Sequence, residues 1–83
     1  MNLLPLATTI AEAFLILESS GDEEINPDTA VRGMENLCSI LLTLSMEDQK
    51  RLRQIFYQIE SSSSDSGYKI FIKELPNMIG LAS

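Results

Sequence analysis

The run Asn26-Pro27-Asp28-Thr29-Ala30-Val31-Arg32-Gly33-Met34-Glu35-Asn36-Leu37-Cys38-Ser39-Ile40-Leu41-Leu42-Thr43-Leu44, continued by Ser45-Met46-Glu47-Asp48, decides how this chain folds. Asn26 is a strong N-cap, Pro27 suits a first helical position where its missing N–H costs nothing, and Asp28 complements the positive end of the helix dipole. Ala30, Met34, Leu37, Cys38, Leu41 and Leu44 then recur at three- and four-residue steps, which predicts a helix to about Leu44. Val31, Ile40 and Leu42 lie outside that stripe. Ser45 starts a second helix, with Asp48 standing where a capping box usually has Glu or Gln. Leu52, Ile55, Phe56 and Ile59 form its apolar stripe, and Lys50, Arg51 and Arg53 occupy its other faces. Almost no loop separates the two helices, so they are expected to pack as an antiparallel hairpin.

Upstream, Leu6, Ile10, Ala13, Phe14 and Leu17 predict an amphipathic helix over about Leu4–Ser19, with Pro5 in its first turn. Ser20-Gly21 ends it, Gly21 being suited to a left-handed cap. Downstream, Ser61-Ser62-Ser63-Ser64-Asp65-Ser66-Gly67 reads as a flexible, low-complexity loop spanning Glu60–Gly67. Order resumes from Tyr68 to Leu75. Ile70, Phe71 and Ile72 suit strand or helix, but no partner strand exists and Lys73-Glu74-Leu75 continues a helix. Pro76 is expected to end or kink it. Asn77-Met78-Ile79-Gly80 adds a turn with a Gly stop. The expected fold is all-α: one domain over residues 1–83, a compact four-helix mini-bundle with a Ser-rich loop before the last helix.

Eighty-three residues leave room for one core and no catalytic lobe. With no His and one Cys, imidazole acid–base chemistry, an intrachain disulfide and Cys/His-held zinc are excluded. An EF-hand also fails. Placing Ile25 at the loop's apolar position puts Glu18, Ser20 and Asp22 at ligand positions, but Glu23 where Gly is required and Thr29 where the bidentate Glu is required. No glycine cradle for phosphate is present. Cys38 has no His to activate it and is expected as a buried core thiol. No enzyme, cofactor, metal or small-molecule substrate is expected. The basic cluster Lys50-Arg51-Leu52-Arg53 lies within a helical turn of Glu47 and Asp48, so it reads as a salt-bridged surface rather than a nucleic-acid contact. The amino terminus lacks a signal-peptide pattern, no run is long enough to cross a bilayer, and an unpaired Cys38 suits a reducing compartment; cytoplasm is the expected location.

Charge is the sharpest functional signal. Residues 1–31 hold Glu12, Glu18, Asp22, Glu23, Glu24 and Asp28 with no Lys or Arg, whereas residues 32–83 balance to zero, so the whole net charge of −6 sits in the first third. Such a field repels nucleic acid and anionic lipid and attracts basic partners. Glu18, Asp22, Glu23, Glu24 and Asp28 are the candidate partner-binding residues, presented where two helices join. They form an acidic plug for a positively charged protein surface.

The residues Phe14 to Arg32, continued by Leu44-Ser45-Met46-Glu47-Asp48-Gln49 and Phe71-Ile72-Lys73-Glu74-Leu75-Pro76, resemble small acidic all-helical bacterial immunity proteins that neutralise secreted interbacterial toxins. That resemblance implies tight binding to one cognate toxin in the producer's cytoplasm. Surplus apolar faces on the first two helices leave a second reading, a helical regulatory or assembly module, chaperone- or adaptor-like, that binds a partner helix.

Overall fold

The computed structural model describes residues 2–83, which form four helices: α1 (Leu4–Ser19), α2 (Pro27–Leu41), α3 (Met46–Ser62) and α4 (Ser66–Ile79). Three of the four starts are fixed by a side-chain cap. Asn26 Oδ1 accepts from the N–H of Asp28 at 2.9 Å, and Ser45 Oγ from that of Asp48 at 3.1 Å. Asp65 Oδ1 accepts from the N–H of Tyr68 at 2.8 Å. Each satisfies a backbone donor that a helix start leaves without an intrahelical acceptor. The all-α four-helix architecture anticipated from the sequence is observed.

The core draws on three helices. Ala7, Ala11 and Phe14 of α1, Ile55 and Phe56 of α3, and Ile72 and Leu75 of α4 are buried, and Leu81 closes the cluster after α4. Ala7 and Ala11 are fully buried. Their small side chains let α1 approach the body closely, and the buried stripe of α1 runs through them. Leu6, expected in that stripe, is 52% exposed instead. The broadest interface is α3 against α4, and α1 touches all three other helices. Gln49 in the first turn of α3 meets Ala82 just past the end of α4, and Arg53 midway along α3 reaches Asn77 in the last turn of α4, so this pair is antiparallel.

Several expectations are corrected. Helix α2 stops at Leu41, not Leu44, and Thr43 and Leu44 close tighter turns on Ile40 and Leu41. The hairpin expected of α2 and α3 does not form: α2 lies against α1 and meets α3 and α4 only sparsely, while the tight hairpin is α3–α4. The turn of residues 42–45 redirects the chain instead of folding it back. The serine-rich segment is mostly helical. Ser61 and Ser62 finish α3, Ser66 begins α4, and only Ser63-Ser64-Asp65 connects them. Serine composition suggested a loop over Glu60–Gly67, but the Asp65 cap overrides it.

Pro76 neither ends nor starts a segment. It sits inside α4, fully buried, and the helix continues to Ile79. Gly80 then supplies the expected stop, in the left-handed region at φ 92°, its N–H donating to the Pro76 carbonyl. Gly21 is not the left-handed cap of α1. Ser20 takes that position in an extended conformation, and Gly80 is the one positive-φ residue among those described. No described helix is long and apolar enough to cross a membrane.

Candidate functional site

The five candidate carboxylates occupy one end of α1, the following turn and the start of α2. Glu18 lies in the last turn of α1, Asp22, Glu23 and Glu24 lie in the connecting turn, and Asp28 lies in the first turn of α2. All five are exposed. The turn is built locally. Ser19 and Ser20 hydroxyls donate back to the Leu15 and Ile16 carbonyls. The Glu24 and Ile25 amides donate to the Gly21 carbonyl at 2.9 and 3.1 Å. A side chain at position 21 would have its Cβ 3.8 Å from a Glu24 carboxylate oxygen, so Glu24 folds back over Gly21. Glu18 and Asp22 border a shallow cleft of about 210 Å³ whose floor includes Leu17, Ile25, Ala30 and Val31. Two of the five carboxylates thus rim an apolar depression, while Glu23, Glu24 and Asp28 stand outside it.

Cys38 lies on the inward side of α2 but is only half-buried, so the expectation of a fully buried thiol is corrected. Burial pushes the thiol above its ordinary value; a backbone hydrogen bond opposes this and the nearby Glu35 carboxylate adds to it. A thiol shifted that way is less nucleophilic at neutral pH, because the thiolate is the reactive form and burial disfavours it. Tyr68 of α4 is shifted upward by burial and, secondarily, by Glu12 of α1. Among the described residues no group of three His, Cys, Asp or Glu side chains is placed to hold a metal ion.

The polar cluster that sequence reading missed holds the segment after α4. Arg53 was expected on a salt-bridged face with Lys50 and Arg51. Its guanidinium instead donates to the Leu81 carbonyl at 2.6 Å, the Ala82 carbonyl at 3.1 Å and Asn77 Oδ1 at 3.1 Å. One turn earlier, Gln49 is buried. Its Nε2 donates to the carbonyls of Leu42 and Leu44, and its Oε1 accepts from the Ala82 N–H at 3.1 Å. Gln49 therefore ties the α2–α3 turn to the carboxy-terminal segment, and no buried side-chain polar atom among the described residues is left without a partner. The only sequence signal was the spacing of Gln49 and Arg53 at i and i+4 on one face of α3. A second depression of about 330 Å³, between α1 and α3, is lined by Leu3, Leu6, Ile10, Leu44, Leu52 and Ile55, with Asp48 and Arg51 at its edge.

Comparisons with known protein families, with curated proteins and with solved structures return no match.

Proposed function

We propose that this chain is an immunity-type protein inhibitor. It binds a cognate protein toxin by setting the carboxylates of Glu18, Asp22, Glu23, Glu24 and Asp28 against a basic surface of the toxin. The observation that carries this reading is the concentration of these five exposed carboxylates around a single helix–helix junction, in a segment of the chain that has no basic residue. Held on two helix ends, the acidic turn is presented with little ordering left to do on binding, which limits the entropic cost of association. Its field accelerates encounter with a cationic partner, to about 10⁸ M⁻¹s⁻¹ or faster at low salt. The apolar side chains beside it, Ile16 and Val31, are 56% and 49% exposed and would add contact energy at the edge of the patch. The reading needs no catalytic group, metal or cofactor in this chain, and the cytoplasm of a toxin-producing bacterium is where such an inhibitor would act.

The experiment is co-expression with the product of the gene adjacent to this one, for the native chain and for a variant carrying Asp22→Lys, Glu23→Lys and Glu24→Lys. Protection of growth by the native chain, lost in the variant, is the expected result. No protection by the native chain overturns the inhibitor reading. Equal protection by both chains removes the acidic turn from the mechanism.

A second reading is a helical regulatory or assembly module. It is favoured by the exposed apolar side chains along and after α2: Ile40 at 65%, Met46 at 63%, Leu42 at 42% and Leu44 at 38%. A partner helix laid on that row would be insensitive to the charge reversal and sensitive to Ile40→Lys.

A further inference from the structure

We propose that α2 is a flap: it opens away from the α1–α3–α4 body as a unit while the rest of the molecule stays folded. The inference does not rest on the toxin-binding reading, although the moving end of α2 carries Asp28 and its first hinge carries Asp22, Glu23 and Glu24, which are pre-ordered only in the closed form. Three observations carry it. First, α2 rests on α1 and has only sparse contact with α3 and α4, whereas α3 and α4 share the broadest interface of the molecule. Second, Ala30 is the only buried residue of α2, a residue with almost no apolar surface to return to water. Its larger inward side chains, Met34, Leu37, Cys38 and Leu41, pack against the core while remaining half-buried. Third, an open apolar cleft of about 480 Å³ separates α2 from α4. It is lined by Val31, Met34 and Cys38 on one side, Met78 on the other and Phe14 at its floor.

The two hinges are unlike. The turn after α2 is anchored, because Gln49 grips the carbonyls of Leu42 and Leu44. The segment before it, residues 20–26, bonds only to itself and to the helix ends it joins: Ser20 to Ile16 of α1, Glu24 and Ile25 to Gly21, and Asp28 and Thr29 of α2 to the Asn26 side chain. The close point of contact is Gly33, where an added Cβ would stand 3.2 Å from Leu17 Cδ1. Opening therefore swings the amino-terminal end of α2 outward on the Leu42–Ser45 pivot and parts Gly33 from Leu17. It uncovers Phe14, which is fully buried in the closed form. Segments with few buried apolar contacts open at lower free energy than the whole molecule unfolds.

The test is amide hydrogen exchange read by segment on the full chain, with and without low denaturant. The α2 amides are expected to exchange at least tenfold faster than those of α3 and α4, with little dependence on denaturant, because opening one helix exposes little surface. Two substitutions make the result decisive. Leu37→Ala is expected to speed α2 exchange by about tenfold or more. Ile59→Val, in the core of α3, is expected to speed exchange in α3 and α4 and leave α2 unchanged. If α2 shares the rates and the denaturant dependence of α3 and α4, or if Ile59→Val speeds all helices alike, the molecule unfolds as one unit and the flap does not exist.

Discussion

Replacing Arg53 with Met removes the guanidinium and keeps an unbranched apolar stem of similar reach, so the loss falls on hydrogen bonding more than packing. Three donors are lost, to the Leu81 and Ala82 carbonyls and to Asn77 Oδ1. A hydrogen bond from a charged group contributes about 1.5–3 kcal/mol. The three act on one short segment whose carbonyls regain water once released, so they do not add in full. A loss of about 2 kcal/mol is expected from the bonds alone. Leu81 is only 4% exposed, and its release would add up to about 1.5–3 kcal/mol. Even the smaller loss corresponds to a fall in Tm of about 8–16 °C for a domain of this size. Urea unfolding of the native chain, Arg53→Met, Leu81→Ala and the double variant measures both the loss and the coupling. Because both residues secure the same segment, the double variant should lose at least about 1 kcal/mol less than the sum of the singles. A cost under about 0.5 kcal/mol for Arg53→Met, or strict additivity with Leu81→Ala, would refute the idea that Arg53 clamps the end of the chain onto α3 and α4.

Further expectations follow from the same geometry. Asp65→Ala should cost about 1 kcal/mol in urea unfolding, since it removes the side-chain acceptor for the Tyr68 amide that starts α4. Gly80→Ala should cost about 1–2 kcal/mol by the same assay, because φ 92° strains any residue with a Cβ. Leu75→Ala, at a fully buried position, should cost about 2–5 kcal/mol and lower the thermal midpoint accordingly. The pH dependence has a definite sign. Cys38 and Tyr68 both hold their protons more tightly folded than unfolded, so their contribution to stability is complete below the unfolded values and is lost as pH rises through the folded ones. The urea midpoint should therefore fall on the alkaline side, beginning above about pH 9. Cys38→Ser should flatten the first part of that fall and Tyr68→Phe the later part.

What the sequence made legible was local. Asn26 and Ser45 cap helices because each needs only an amide two or three residues away, and Gly80 stops α4 for an equally local reason. The stripe Ile55, Phe56 and Ile59 identified the inner face of α3 because those positions join the buried core. Pairing was harder to read. A short link between α2 and α3 suggested neighbours, yet the half-buried stripe of α2 suits α1 as well as α3, and Ala30 and Gly33 favour the close approach to α1 near Leu17. The serine run misled because composition was weighed above one residue, Asp65, whose carboxylate is a helix cap. The acidic site was legible as far as exposure goes, since carboxylates in a helix–helix turn face water wherever the helices pack. The Gln49–Arg53 cluster was not legible. Its partners at Leu81 and Ala82 lie 28 to 33 residues away, and periodicity along one helix carries no information about them.

The structure of a complex with the proposed cognate toxin tests the proposed mechanism most directly. Lys or Arg side chains of the toxin within ion-pair distance of Asp22, Glu23 and Glu24, with that turn buried at the interface, is the arrangement expected. A complex that leaves these carboxylates in open solvent and covers the Ile40–Met46 row instead would contradict the acidic-plug mechanism.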